Sequence, residues 1–397
     1  MKKILPLIIL SMIFACSSAK PKLKPMKQVI NEALSFSADQ SRSMALKYTG
    51  KNDVFPRSFV DGKMTTANQN WWCSGFFPGV LWYMYEYTKD EEMLKYAKEY
   101  TERLDKIKYV TGTHDLGFLL YCSYGNGYRL TGDKSYREVL LTGAKSLSTR
   151  YRDHIGLIRS WDFAKEKWQY PVIIDNMMNL EFLVWAGKES GDERFINIAK
   201  SHSDNTIKNH YHPDFSSYHV VSYDTITGVP HAKQTHQGYS DESSWSRGQV
   251  WGLYGYTFMY RETGDKKYLD QANGIAKYLI ENPVMPSDYI PYWDLEAPGI
   301  PDELRDASAA AIMASALIDL SSLVNKDLGE KYLKVAETQI RTLASEKYTA
   351  RPGENGDFIL MHSVGSMPGK SEVDVPLTYA DYYYVEALLR YKKLKGF

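Results

Sequence analysis

The 397-residue chain lacks several features that would brace a fold or attract a polyanion. It has three cysteines, too few for a disulfide framework; Cys73 and Cys122 could pair or could remain buried free thiols. Its 48 Lys and Arg residues are balanced by 48 Asp and Glu residues, and no basic run occurs. Nucleic acid is therefore not expected as a partner. The composition indicates one large globular domain that is stabilised by its core.

Common catalytic and cofactor motifs are missing as well. The sequence contains no GxSxG nucleophile elbow, no glycine-rich phosphate loop, no HExxH and no paired-cysteine metal spacing. Four histidines could suggest zinc, namely His114, His219, His231 and His236, but they are better interpreted as the polar lining of a cavity. We therefore expect no metal ion and no other cofactor.

Long apolar runs are confined to the N-terminus. Residues 4–14 are apolar, follow Lys2 and Lys3 and lead to Cys16, which is typical of a bacterial lipoprotein signal. The run is too short to stay in a bilayer as a spanning helix. This pattern predicts a signal peptide over residues 1–15, a lipidated Cys16 with a tether over residues 16–27, and a periplasm-facing outer-membrane location. The lipid anchor would be the only membrane contact. The alternative is an ordinary cleaved secretory signal with an incidental cysteine.

The rest of the chain repeats a helical hairpin. Apolar helical runs are followed by a short turn with Gly-Asp or Lys-Asp, in which the Asp can cap a more charged second helix. This turn occurs at 87–90 (YTKD), 130–133 (LTGD), 189–192 (ESGD), 262–265 (ETGD) and 324–327 (VNKD). Together with a first helix that closes on the last, these hairpins make six pairs. The sequence predicts an all-α (α/α)6 barrel as a single domain over residues 28–397, with long loops, and short strands in them, at 216–237 and 350–375.

Polar and aromatic residues precede the inner helices of this predicted barrel, where they would face one common mouth. Asp115 and Asp175 could be N-caps. If they share a cavity instead, their mutual repulsion would raise the pKa of one of them, so that it can hold a proton near neutral pH, as a general acid requires. Arg247 and Trp251 are four residues apart and share a helix face, which suits an anionic sugar. The alternative for Arg247 is a salt bridge inside the ring.

Five separated segments resemble one enzyme family, glycoside hydrolase family 88, the unsaturated glucuronyl hydrolases. The resemblance covers essentially the whole chain after the predicted signal. It rests on 72–79 (WCSGFFPG), 114–118 (HDLGF), 174–180 (IDNMMNL), 237–240 (QGYS) with 245–249 (WSRGQ), and 374–377 (DVPL) with 379–383 (YADYY). It implies an (α/α)6 barrel, as does the helix pattern.

The resemblance also implies a reaction: removal of a non-reducing-end 4,5-unsaturated uronic acid from glycosaminoglycan oligosaccharides that lyases produce, by hydration of the double bond. Asp175 matches the acid/base and Asp115 the second essential carboxylate. The residues that would line the pocket are Trp72, His114, His219, Gln237, Trp245, Arg247 and Trp251, with His219 matched by its distance from Asp175. A loop with Ser363, Ser366 and Lys370 resembles one that holds a sulfated neighbouring sugar, or it is only a flexible Gly/Pro loop. The alternatives are an unsaturated rhamnogalacturonyl hydrolase and a non-catalytic periplasmic sugar-binding lipoprotein.

Overall fold

The computed structural model describes residues 23–397, and in this range the chain forms the six-pair helical barrel that the sequence predicts. The inner ring consists of α2 (Phe76–Thr88), a π-helical segment (Gly117–Gly125) continued by α4 (Asn126–Thr131), α6 (Leu180–Ser190), α8 (Ser246–Thr263), α10 (Ala307–Ser321) and α12 (Thr378–Lys395). The outer ring consists of α1 (Met26–Tyr48), α3 (Glu91–Glu102), α5 (Lys134–Ser148), α7 (Glu193–His210), α9 (Lys266–Glu281) and α11 (Lys326–Leu343).

The two rings differ in the way that their helices are buried. Each inner helix contacts the next, and α12 closes the ring on α2. In α10 every side chain from Ala307 to Ile318 is buried, as a helix enclosed on all sides requires. In α11 only a stripe at three- and four-residue spacing is buried, from Gly329 through Tyr332 to Leu343. The N-terminal α1 contacts α12, as expected for the sixth pair.

Short turns join each inner helix to the outer helix that follows, at the end of the barrel away from the site. Four of the five predicted Asp caps are confirmed, because Asp90, Asp133, Asp192 and Asp265 each accept a hydrogen bond from the backbone N–H two residues ahead. The fifth prediction is wrong by two residues. Asn325 caps α11 through the Leu328 N–H, and Asp327 lies in the first helical turn.

The long connections from outer to inner helices all lie at the opposite end, which we call the mouth. They hold nine short strands: β1 (Phe55–Val60), β2 (Lys63–Ala67), β3 (Tyr151–Arg152), β4 (Leu157–Ile158), β5 (Pro171–Ile173), β6 (Val220–Tyr223), β7 (Pro230–Gln234), β8 (Ser363–Ser366) and β9 (Ser371–Val375). All pairings are antiparallel, in the order β1-β2, β3-β4, β5-β6-β7 and β8-β9. The strands inside the two predicted long loops are confirmed, whereas the β1-β2 hairpin has no counterpart in the sequence prediction.

Two predictions fall at the N-terminus. The signal peptide, Cys16 and most of the tether lie outside the described residues. The helix α1 begins at Met26, so the barrel starts two residues before the predicted position 28.

Within residues 23–397, no helix combines the length and the apolar character that crossing a membrane requires. Cys73 and Cys122 are both buried and free, so the free-thiol alternative is the one the structure shows.

Candidate active site

Asp175 lies at the mouth, where strand β5 runs directly into a 3-10 turn (Ile174–Asn179) that leads into α6. The turn is held to β6 by a hydrogen bond from the Ile174 N–H to the His219 carbonyl, 3.1 Å long. Only 8% of the residue is exposed, and Oδ2 has no hydrogen-bond partner within residues 23–397. Asp175 does not cap its helix, so the N-cap alternative does not hold here. An unpaired buried carboxyl oxygen is available to a ligand.

The environment of Asp175 favours the protonated carboxyl. Its pKa is raised from 3.8 to about 7, and burial is the largest cause. The positive charge of Arg247 lowers this pKa, and the negative charge of Asp115 raises it. The indole N–H of Trp251 favours the ionised form. At neutral pH, Asp175 is thus divided between its acid and its carboxylate, as a group that both donates and accepts a proton must be.

His219 approaches the same carboxyl group with one defined ring nitrogen. Its Nδ1 accepts hydrogen bonds from the backbone N–H groups of His236 and Gln237, both 3.1 Å long. Because Nδ1 accepts, the proton of the neutral ring resides on Nε2. Nε2 lies 3.7 Å from Asp175 Oδ2. Burial lowers the pKa of His219 well below its ordinary value, so the ring is neutral and directs an N–H toward Asp175.

Asp115 is the second carboxylate at the mouth, just before the π-helical segment. Its Oδ2 accepts a hydrogen bond of 2.6 Å from the Thr113 hydroxyl, and Oδ1 lies 3.3 Å from His114 Nε2. The His114 side chain is buried, and this burial lowers its pKa. The Asp115 side chain is 16% exposed, so part of it is open to a ligand at the mouth. Asp115 can therefore accept a hydrogen bond from a hydroxyl group of a bound molecule.

One close contact joins the two chain segments that carry Asp115 and Asp175. The side-chain Oδ1 of Asn179, at the end of the Asp175 turn, accepts a hydrogen bond of 3.1 Å from the Phe118 N–H. Gly117 lies so close to Asn179 that a Cβ at this position would be 2.6 Å from Oδ1 and 2.8 Å from Cα of Asn179. The glycine is required here because the two segments pack backbone against side chain. Its absence would move Asp115 relative to Asp175.

Aromatic rings surround the two carboxylates. Trp251 is fully buried and packs on Phe118, at 5.3 Å between ring centroids. Trp72 is partly buried and contacts Tyr379 at 4.9 Å. Trp245 lies 4.6 Å from the His219 ring. Thus the structure brings the predicted tryptophans to the mouth, with Trp72 the most accessible of them. Because Trp251 is completely buried, it forms a wall of the site beside Asp175 and presents no open face on which a sugar ring could stack.

The sequence predicts that Arg247 suits an anionic sugar, and in the structure its guanidinium has partners inside the protein. The side chain is 1% exposed and forms an ion pair with Asp306, with 3.1 Å between Nη1 and Oδ2. Its terminal nitrogens also donate to the backbone carbonyls of Val364 and Gly365. The salt-bridge alternative therefore describes its contacts. Arg247 fixes strand β8 at the mouth and supplies positive charge near Asp175.

The predicted sulfate loop is the β8-β9 hairpin, and its three predicted residues differ in exposure. Ser363 is fully buried, and its part in sulfate binding stays a prediction. The Ser366 hydroxyl accepts a hydrogen bond from the Gly369 N–H, and Lys370 is exposed at the turn. The amide of Gln237 donates to the Gly365 carbonyl at 3.1 Å, which joins the hairpin to the His219 loop. Only Ser366 and Lys370 are open to solvent.

Comparison with known proteins decides the family. The model of glycosyl hydrolase family 88 matches residues 49–394, which is nearly the whole described chain. The chain belongs to this family. Its barrel is accordingly the (α/α)6 barrel of a family 88 glycosidase, as the resemblance of five separated segments had implied.

Individual family 88 relatives are similar over almost their full length. An unsaturated glucuronyl hydrolase of Formosa agariphila is 43% identical over 385 residues, which cover 96% of this chain and 94% of the relative. An unsaturated chondroitin disaccharide hydrolase of Streptococcus pneumoniae is 35% identical and covers 88% of each chain. The crystal structure of an unsaturated glucuronyl hydrolase specific for heparin superposes with a TM-score of 0.90 at 49% identity, covering 94% of this chain and 99% of that one.

Some residues of this family 88 site have no place in the sequence prediction. Thr113 holds Asp115, Asn179 couples the two carboxylate turns, and Asp306 holds both Arg247 and the Val364 N–H. Asp306 also caps α10 through the Ser308 N–H. The Asp-x-Ser pattern before an Ala-rich helix would have predicted the cap. The contacts of Asp306 with Arg247 and with the Val364 N–H are visible only in the folded chain.

The close contact at Gly117 leads to a prediction. Gly117→Ala is expected to lower kcat/KM by about 100-fold, because a shift near 1 Å between the carboxylates removes productive geometry. Overpacking should also lower the free energy of unfolding by about 1–3 kcal/mol. The matched control is Gly112→Ala in the same loop, where nothing lies within 4 Å of an added Cβ. Steady-state kinetics and thermal unfolding of both variants test this, and equal activity of the two would contradict it.

Proposed function

We propose that this family 88 enzyme removes the 4,5-unsaturated uronic acid from the non-reducing end of lyase-generated glycosaminoglycan oligosaccharides. The observation that carries the proposal is the buried carboxyl group of Asp175, whose unpaired Oδ2 lies 3.7 Å from Nε2 of His219, with Asp115 at the same mouth. The relatives described as unsaturated glucuronyl and chondroitin disaccharide hydrolases support this substrate class.

The geometry fits hydration of an enol ether. Asp175 transfers its proton to C4, and the ring oxygen stabilises the positive charge that develops at C5. A water molecule then adds at C5 and returns its proton to the Asp175 carboxylate, so the catalyst is restored. The resulting hemiketal opens to a C5 ketone and leaves a hemiacetal at C1, which expels the aglycone as an alcohol. No carboxylate attacks the anomeric carbon, so the carboxylate spacing rules of ordinary glycosidases do not apply.

Asp115 and His219 assist by charge and hydrogen bonding. The negative charge of Asp115 favours the protonated form of Asp175 before the reaction. The Nε2–H of His219 can donate to the carboxylate that forms once the proton has left. Trp72 offers the accessible aromatic face for a sugar ring at the mouth.

The test is the ultraviolet absorbance of the conjugated uronate, followed with lyase-generated disaccharides from chondroitin, hyaluronan, heparin and pectin. Decay is expected with the glycosaminoglycan set. We expect the heparin product to react fastest, because the solved enzyme at 49% identity is specific for heparin. Decay with only the pectin product would favour an unsaturated rhamnogalacturonyl hydrolase, and no decay with any substrate would favour a sugar-binding lipoprotein. Either result would contradict the proposal.

We also propose that the enzyme is exported and anchored through a lipid on Cys16, facing the periplasm from the outer membrane. The basic start, the short apolar run and Cys16 support this location. Labelled palmitate should enter the full-length chain and not a Cys16→Ala variant. Equal labelling of the two, or no labelling of either, would contradict the anchor.

A further inference from the structure

A second cavity lies outside the residues assigned to catalysis. It has a volume of about 470 Å³ and is lined mainly by polar groups, among them Thr111, Arg150, Arg152, His154, Arg159 and Asp162. We call it the Arg150 pocket. It lies between the end of α5, the β3-β4 hairpin and the loops on either side of it. None of the site residues described above lines it.

The Arg150 side chain is built into this pocket with one donor left free. Only 6% of the residue is exposed. Its Nε donates to the Arg159 carbonyl at 2.7 Å, and Nη1 contacts the Thr111 carbonyl and Asp162 Oδ2, the latter at 2.9 Å. Its Nη2 is buried and has no hydrogen-bond partner within residues 23–397. A buried charged donor without a partner is costly, so a ligand acceptor at this position would stabilise the folded protein.

Positive charge exceeds negative charge in the pocket. Three guanidinium groups face one carboxylate, that of Asp162, which lies 3.1 Å from Arg159 Nη1. Arg159 also has a buried Nε without a partner in the described chain. Arg152 donates to the carbonyls of Thr149 and Tyr151 and has no carboxylate partner within residues 23–397. The pocket therefore carries an excess of about two positive charges.

We propose that the Arg150 pocket binds a sulfo group, carried by a saccharide or present as free sulfate. Guanidinium forks match tetrahedral oxyanions, and a sulfo group stays ionised throughout the physiological pH range. The saccharide source rests on the proposed function, in which substrates are glycosaminoglycan fragments. A cavity of about 470 Å³ is larger than a bare sulfate ion and leaves room for part of a sugar ring.

The pocket is joined to the active site through one short loop. Thr111 lines the pocket, and four residues later Asp115 reaches the mouth. The charge of Arg150 contributes to the lowered pKa of His114, after burial as the main cause, and His114 contacts Asp115. An anion on Arg150 would offset part of this charge. Binding at the pocket is thus positioned to affect the Asp115 side of the catalytic site.

The experiment is calorimetric titration of the full chain with inorganic sulfate at constant ionic strength. One sulfate per chain should bind outside the catalytic site. Arg152→Gln should weaken this binding about tenfold, the effect of one lost charge-assisted hydrogen bond. Arg194→Gln is the matched control, because Arg194 is an exposed arginine on α7 whose only ion-pair partner within residues 23–397 is Asp192. No sulfate binding, or equal weakening in both variants, would overturn the proposal.

A second arm separates the two sources of the sulfo group. A sulfated disaccharide with a saturated uronic acid, which the enzyme cannot hydrate, is titrated against wild type and Arg152→Gln. If the saccharide is the ligand, it binds more tightly than inorganic sulfate, and Arg152→Gln removes that difference. If its affinity equals that of sulfate, the site takes the free anion. This readout does not depend on turnover, so failure of the proposed function would be seen separately, in the absorbance assay.

Discussion

Replacing Asp175 by asparagine is expected to lower kcat by about 10³–10⁴-fold, because one group supplies both the proton for C4 and the base for the attacking water. The amide has nearly the same shape as the carboxyl group, so folding and much of the substrate binding should persist. Steady-state absorbance kinetics with an unsulfated and a sulfated disaccharide measure the loss of kcat. Activity within tenfold of wild type would remove Asp175 from the mechanism.

The raised pKa of Asp175 predicts the pH dependence as well. Since the protonated form is the donor, kcat/KM should fall about tenfold per pH unit above pH 7. The pH dependence of folding stability also depends on Asp175. The folded pKa of about 7 lies above the ordinary value of 3.8, so its contribution is fully present below about pH 4 and is lost as pH rises through 7. Asp175→Asn should therefore be more stable than wild type above pH 7, by on the order of 4 kcal/mol at most.

Asp381 provides a matched control for this prediction. Its pKa is also raised to about 7, mainly by burial, yet in the described part of the chain its carboxyl oxygens accept hydrogen bonds only from the backbone N–H groups of Ile359 and Leu360, each at 2.9 Å. Asp381→Asn leaves one of these N–H groups without a good acceptor, at a cost of about 1–3 kcal/mol, which offsets part of the stability gained above pH 7 when a carboxyl group of raised pKa is removed. Its kcat should stay close to wild type. A loss of kcat equal to that of Asp175→Asn would mean that burial of any carboxyl group, and not its position, explains the effect.

Asp115→Asn is expected to have the second largest effect, a loss in kcat/KM of about 10²–10³-fold. The variant loses an acceptor for a substrate hydroxyl, and it loses the negative charge that raises the pKa of Asp175. The fall of kcat/KM at high pH should consequently begin at a lower pH than in wild type. Full pH profiles of the two proteins measure both effects.

Thr113→Val separates the charge of Asp115 from its placement. The valine keeps both carboxylates and removes only the hydroxyl that donates to Asp115 Oδ2 at 2.6 Å. A smaller loss of activity is expected, with the pH at which activity falls unchanged. An Asp115→Asn profile identical in shape to wild type would contradict the electrostatic role assigned to Asp115.

The helical frame could be predicted because its signals are local. An Asp that follows a turn, such as Asp133 or Asp265, can cap the next helix through the backbone N–H two residues later, so a few residues of sequence identify the helix start. The continuous burial of α10 follows directly from its run of small and apolar residues. At the fifth turn, Asn325 and Asp327 compete as caps, and the sequence contains no signal that favours the asparagine over the aspartate.

The details of the site depend on contacts across the chain. Arg247 pairs with Asp306, 59 residues away, and with carbonyls of β8, more than 100 residues away. No spacing rule on α8 identifies those partners, so the sequence offers the salt bridge inside the ring only as an alternative. Ser363 faces inward for the same reason, since strand pairing with β9 decides its direction. The placement of His219 beside Asp175 agrees with the family resemblance, while its Nε2–H tautomer follows only from the backbone N–H groups at Nδ1.

The central claim is that the double bond is hydrated before the glycosidic bond breaks, and proton NMR of the reaction tests it most directly. The vinyl proton at C4 of the substrate and the reducing-end signals of the released aglycone are followed in one sample. Hydration at Asp175 predicts that the vinyl signal disappears no later than the aglycone appears, without accumulation of a free unsaturated uronic acid. Release of the aglycone while the vinyl signal persists in a free uronic acid would contradict the account.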